Sequence, residues 1–322
     1  MKRRATRVLL LAAAVLSTST EIVLAQAYPT RTVRIIAASA PGGTSDILSR
    51  LLAQQLTSEL GQSFVVENRA GASGILGTDV VAKAPPDGYT LLVIQPSLTI
   101  NPHMFAKLPY DAIRDLAPVS LVVDVPQIVC AHPSVPAKTI KDLVALAKRG
   151  PVTNGSPGSG THPHLTAERF QQALGIKLEQ VVYKGVGPAF TGLISGEVAV
   201  VFSAISSAMP HVKSGRIRPL AVTTLKRLNA VPEVPTIAET VVPGFESSQW
   251  FGVLAPAGTP RPIIDRLQQA IAKSTQSPDL KEKFAAMAME TVNSTPDHFA
   301  KIIKEETVSW GKVIKAAGIK PQ

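Results

Sequence analysis

The stretch "TVRIIAASAPGGTSDILSRLLAQQL", residues 32–56, holds the two signals on which the fold turns. "TVRIIA" (32–37) is a short apolar run of strand length, and from Ile47 to Leu56 the apolar residues recur at helical spacing. Between them Pro41-Gly42-Gly43 breaks the strand, and Thr44-Ser45-Asp46 opens the helix. A strand, a glycine turn and a helix in that order present the first-turn N–H groups of the helix. Those groups have no partner inside the helix and carry a partial positive charge. In open parallel sheets such turns lie at the carboxyl ends of the strands, where ligands bind.

The same alternation continues along the chain. Candidate strands lie at 64–68, 90–94, 119–124, 127–131, 152–155, 178–183, 198–203, 217–222 and 251–256, with helical windows at 45–60, 138–148, 163–174 and 187–195. Short apolar runs alternating with amphipathic windows are the pattern of an α/β protein with mainly parallel sheets. From Arg261 to Gly318 the pattern is helical only, and Ser277-Pro278-Asp279 and Thr295-Pro296-Asp297 read as helix starts, each a capping residue before a proline. Two places suggest crossings between domains: Pro118–Pro133, where two apolar runs adjoin across "DVP", and the proline-rich Val231–Trp250. A chain that leaves one domain, builds a second and returns gives two lobes with a cleft between them. The expected division is lobe 1 from 28–124 plus 245–322 and lobe 2 from 125–244, with hinges near 124–126 and 244–250.

Two further stretches repeat the opening motif, "TNGSPGSGTHPH" (153–164) and "VVYKGVGPAF" (181–190). No Lys or Arg stands between Ile35 and Ser49 or between Gly150 and Glu168, and the third turn carries one cation, Lys184. Phosphate usually recruits Arg or Lys as well as amides, and neither a Walker pattern nor G-x-G-x-x-G occurs. A carboxylate held by amides and by the hydroxyls of Thr44, Ser159 and Thr161 suits these turns better; ordinary capped turns are the alternative. "QPSLTINPH" (95–103) places Ser97 and Thr99 at another strand end. "NRAGASGILG" (68–77) spaces Gly71, Gly74 and Gly77 three apart, which on a helix would make one smooth side for close packing.

Composition narrows the class. The chain has 322 residues, 45% hydrophobic and 5% aromatic, with a net charge of +10. Residues 1–27 read as a secretory signal peptide: Lys2, Arg3, Arg4 and Arg7 precede an apolar run from Val8 to Leu16, with cleavage after Ala27 or Ala25. That run is too short to span a bilayer, which needs about 20 residues. The mature chain keeps 29 basic and 22 acidic residues, scattered and without a basic run, which is poor material for a nucleic-acid surface. The single cysteine, Cys130, lies in an apolar strand and reads as a buried structural thiol.

Catalytic patterns are missing. There is no G-x-S-x-G elbow, no H-E-x-x-H and no C-x-x-C. His162 and His164, two apart at a helix start, diverge and make a poor metal pair; His164 reads as a packed or capping residue, with ligand contact as the alternative. Asp46 has the position of a cap for free amides, or else of a base. The expectation is a protein with no catalytic set, no metal and no cofactor.

At this point a family resemblance emerges from the residues. "PGGTSDILSR", "VVENRAGASGILG", "PPDGYTLL", "INPHMFAKLPYD", "LAPVSLV", "GSPGSGTHPHLTAERF", "YKGVGPAFTGLISGEV", "VPTIAE" and "WFGVLAPAGTP" follow one another over nearly all the mature chain. In these stretches the protein resembles the Bug-type receptors, the exported solute-binding proteins of tripartite tricarboxylate transporters. The resemblance implies a two-lobed, type II-like periplasmic binding fold, a Venus flytrap that closes on a small carboxylate: a dicarboxylate, a tricarboxylate, an acidic amino acid or an aromatic acid. It implies Gly43, Thr44 and Asp46 in the first lobe's grip with Ser97 beside them. It implies Gly158, Ser159, Gly160 and Thr161 in the second, with Lys184 and Phe202 near the cleft. Two departures flank the expected pocket: "QPSLT" stands where a Ser-Ser-Thr-His type stretch is common, and His162 where proline is frequent. The expected protein is monomeric and periplasmic and delivers its ligand to membrane transporter components. An exported enzyme acting on a small carboxylic acid, with Asp46 or His164 as acid/base, and a receptor presenting its closed form to a membrane sensor are the rival readings.

Overall fold

The computed structural model describes residues 28–316 and 321; the signal-peptide reading falls outside them. The first half of lobe 1 runs β1 (Val33–Ala37), α1 (Thr44–Leu60), β2 (Phe64–Asn68), α2 (Ile75–Ala82), β3 (Thr90–Ile94) and α3 (Ser97–Met104). A long strand β4 (Leu116–Ala131) leads into α4 (Ile140–Arg149), β5 (Thr153–Ser156), α5 (His162–Leu174), β6 (Glu179–Val182), α6 (Val186–Ser195), β7 (Val200–Ala204), α7 (Ile205–Lys213) and β8 (Arg218–Val222). The chain returns through a short α8 (Ile237–Thr240) and β9 (Ser248–Pro256), then α9 (Arg261–Thr275), α10 (Pro278–Ala286), β10 (Glu290–Thr291) and α11 (Pro296–Ala316).

The strand order is β2-β1-β3-β9-β4-β7-β5-β6, with β10 and β8 also paired to β4. Each lobe has a parallel block, β2-β1-β3 in one and β6-β5-β7 in the other, built from strand–turn–helix units. The antiparallel strands β4 and β9 run between the blocks. Two strands of the parallel blocks are buried along their whole length, β3 ("TLLVI") and β7 ("VVFSA"), while β6 ("EQVV") lies at the exposed edge.

The sequence separated 119–124 from 127–131, yet β4 is one strand of 16 residues that exchanges partners midway. Leu116–Pro126 pairs with β9, and Gln127–Ala131 pairs with β7 and β8. Proline holds a φ compatible with extended chain and costs the sheet only one donor; Pro126 stands at the changeover, where the ladder is interrupted anyway. The next donor, Gln127 N–H, goes to Thr223 Oγ1 at 2.9 Å.

Apolar packing continues across the lobes. One cluster includes Leu48 and Leu52 of α1 together with Ile205, Ala208 and Met209 of α7. On another side α11 reaches over both: Ile314 packs with Ile100 and Met104 of α3 and with Leu165 of α5. The Trp310 ring stands edge-on to His162, centroids 5.9 Å apart. Ser277 Oγ accepts the Leu280 N–H and Thr295 Oγ1 accepts the His298 N–H, so both proline-marked starts open helices as their sequences indicate. Cys130 is fully buried and its thiol pKa is pushed up by burial, which suppresses the reactive thiolate.

Candidate functional site

A cavity of about 270 Å³ lies between the two blocks. Five helix starts border it, one of them Gly74 at the head of α2. Gly43, Thr44 and Ser45 open α1, Thr161 and Pro163 open α5, Gly185 and Val186 open α6, and Ala204 and Ser207 open α7. None of these five helices has a side-chain cap; away from the cavity α3 and α9 lack one too, while Thr139, Thr236 and Ser277 cap α4, α8 and α10. Among the described residues the lining contains no Asp, Glu, His or Cys, and its one formal charge is Lys184. A helix start favours an anion by about 0.3–1 kcal/mol, and more where partly buried, so five of them make an anion site with little help from cations.

Of the residues singled out from the sequence, Gly43, Thr44, Gly158, Ser159, Thr161 and Lys184 line this cavity. Two of the hydroxyls have work other than reaching for a ligand. Thr44 Oγ1 bonds to Ser206 Oγ at 2.6 Å and to Ser207 Oγ at 3.0 Å. Thr161 Oγ1 donates to Gly158 O at 2.8 Å and so holds its own turn.

Asp46, Ser97, Gly160 and Phe202 stand off the wall. Asp46 is buried one residue further into α1, where its carboxylate accepts the Gly42 N–H and an Asn68 amide hydrogen, each at 3.0 Å, and pairs with Arg50 at 2.9 Å. It braces the turn, as a capping carboxylate does. Ser97 is buried behind the Gly74 turn. Gly160 backs onto Met104, and its N–H donates to His164 Nδ1 at 2.9 Å. Phe202 faces the core of lobe 2, with its ring centroid 5.5 Å from that of Phe170. Side chains alternate along a strand, so it is the next residue of β7, Ser203, that faces the cavity. His162 is turned away as well: Gln127 Nε2 lies 2.6 Å from its Nδ1, and burial, with some help from Arg169, holds its pKa down to about 3. Burial lowers the His164 pKa too.

Several lining residues escaped the sequence reading. The Ala70–Gly74 loop is one wall. Gly71 and Gly74 have left-handed φ values outside any shared α-helix face, while Gly77, inside α2, packs closely on Ala38. Ala72 and Ser73 also take positive φ, 44° and 53°, a conformation rare for residues with a Cβ. In that posture Ser73 Oγ donates to Ser159 O at 2.7 Å across the cleft. Gln95 accepts the Ser45 hydroxyl at 2.8 Å. Gln249 and Phe251, two apart on β9, share one face and line the cavity floor; that alternation was the only sequence signal for them.

The fold and the cleft define a two-lobed solute-binding protein whose interlobe cavity is ringed by helix N-termini. The chain matches the tripartite tricarboxylate transporter family receptor over residues 48–319 and belongs to that family. It is 38% identical to protein BugT of Bordetella pertussis over 92% of this chain and 93% of that one. Among solved structures, the R. palustris protein Rpa4515 with adipate is 35% identical with a TM-score of 0.88, covering 92% of this chain and 100% of the other. MatC from Rhodopseudomonas palustris with bound malate is 28% identical with a TM-score of 0.82, covering 89% and 100%.

Proposed function

We propose that this receptor captures a small carboxylate between its lobes in the periplasm and presents it to the membrane components of a tripartite transporter. The observation that carries the reading is the ring of five helix starts without side-chain caps around a cavity with no acidic lining among the described residues. The direct grip on the carboxylate is assigned to the Gly43–Ser45 and Gly158–Thr161 turns, with Ser203, Ser207 and Gln249 beside them. Lys184 is the cation available to a second acidic group. The adipate and malate held by the two R. palustris relatives support this ligand class.

Lobe 1 is assigned to 28–124 plus 245–322 and lobe 2 to 125–244; the exchange of partners along β4 after Pro126 and the start of β9 at Ser248 lie close to these bounds and support them. Export by residues 1–27, a monomeric state and the absence of chemistry on the ligand belong to the same proposal. With no carboxylate, imidazole or thiol in the lining among the described residues, the cavity is suited to holding a solute rather than converting it.

A thermal-shift series on the mature chain, Tyr28 to Gln322, against mono-, di-, tri- and aromatic carboxylates tests the reading. A saturable rise in Tm with one subset is expected, because a ligand that binds only the folded state stabilises it. No response across the series from well-folded, ligand-free protein overturns it. Recovery of chemically altered ligand after incubation would select the enzyme reading instead.

A further inference from the structure

Pro41 and Gly187 meet across the cleft with no room for a Cβ between them. A methyl group on Gly187 would lie 2.6 Å from the Pro41 carbonyl oxygen, and one on Gly185 would lie 2.8 Å from Ala40 Cβ. Ala40, Gly43, Gly185 and Val186 all line the cavity, so the contact lies at its edge. The lobe 1 side cannot easily yield, because its turn is tied by Gly43 N–H to Ala40 O at 3.1 Å and by Gly42 N–H to Asp46 Oδ2 at 3.0 Å.

The two glycines answer different demands. Gly185 has φ 116°, so its own backbone excludes most side chains. Gly187 lies inside α6 without a positive φ. Nothing local asks for glycine there, and alanine is the better helix former. The need for glycine comes from the opposite lobe.

We propose that Gly187 is a positioning residue for ligand capture: its bare backbone lets the lobes seat together at the cavity edge, and any side chain there wedges the cleft open. The inference rests on the receptor reading. Observed affinity is intrinsic affinity scaled by the fraction of protein able to close. A wedge that acts only on the closed state therefore weakens binding without weakening either lobe, and it does so through faster release rather than slower encounter.

The test compares wild type with Gly187→Ala, using malate and adipate as probes. Ligand-free Tm is expected to stay level or rise, while Kd rises at least tenfold, mainly through koff. In parallel, nitroxide labels at Lys107→Cys and Lys177→Cys, both exposed sites on opposite lobes, report interlobe distance, with the fully buried Cys130 left unlabelled. The short-distance population is expected to shrink in Gly187→Ala. Unchanged Kd for a bound probe overturns the proposal. If wild type binds neither acid, the assignment of these acids fails separately. The wedge is then decided by the ligand-free distance distributions, and identical ones overturn it.

Discussion

Thr44 Oγ1 lies 2.6 Å from Ser206 Oγ, which joins the first turn of α1 in one lobe to the first turn of α7 in the other. Thr44 is 4% exposed and Ser206 is fully buried. The hydroxyl that looked from the sequence like a hand for the ligand is, in this conformation, a clasp between the lobes. A clasp and a grip both matter to affinity, but they fail differently.

Thr44→Val keeps the shape and deletes the hydroxyl, leaving the Ser206 and Ser207 hydroxyls short of a partner in a buried place. The loss of such a partner costs about 1–3 kcal/mol. Binding is expected to weaken roughly tenfold or more by that figure, with the ligand-free fold intact by circular dichroism. Adding Thr161→Val, which frees the Gly158 turn, weakens it further. Calorimetry showing wild-type affinity in the double variant would remove both turns from the site.

Phe202 and Ser203 are neighbours on β7 with opposite duties. Phe202→Ala empties a space beside Phe170 in the lobe 2 core and is expected to cost about 3–5 kcal/mol of stability. Ser203→Ala is expected to lower affinity for the ligand with little change in the denaturation midpoint. The reverse pattern in denaturant and binding titrations would mean that the strand faces have been read the wrong way round.

His162 stays neutral in the fold because burial holds its pKa down to about 3 from 6.5. The unfolded chain takes up a proton near 6.5 that the native protein refuses. The contribution is therefore fully present above pH 6.5 and is lost as pH falls toward 3. His162→Gln, measured by urea midpoints between pH 4 and 7, is expected to flatten that decline. A parallel decline in both proteins would place the acid sensitivity elsewhere.

Glu306 of α11 accepts the Trp250 Nε1 hydrogen at 2.8 Å and the Thr99 hydroxyl at 3.2 Å. Burial raises its pKa above the usual 4.5, and the Asp124 charge adds to the rise. The fold thus prefers the protonated form. This contribution is fully present below about pH 4.5 and is lost as pH rises through the raised value. Glu306→Gln keeps an acceptor and removes the charge, so its advantage in stability over wild type is expected to grow from pH 5 to pH 8. Equal pH profiles would show that the charge is relieved by other groups.

Much of the secondary structure was legible. The run 32–37 and the pattern after Thr44 become β1 and α1, and Ser277 and Thr295 mark helix starts as their types suggest. Glycine, proline and short hydroxyl side chains act on their own backbone, so their message is local. The break expected at "DVP" did not form, because Pro126 falls where β4 changes partners and its missing N–H costs the ladder only one donor.

The site divided along the same line. By itself the sequence determined where the glycine turns lie and that cations are scarce around them, which is enough to point to an amide-lined anion site. Only the tertiary structure decided that five helix starts share one cavity, that Ser203 rather than Phe202 faces it, and that Thr44 meets Ser206. Turn conformation follows from the torsional limits of a few neighbouring residues. Which face of a buried strand meets the cavity, and which hydroxyls meet across a cleft, depends on the packing of segments far apart in the chain.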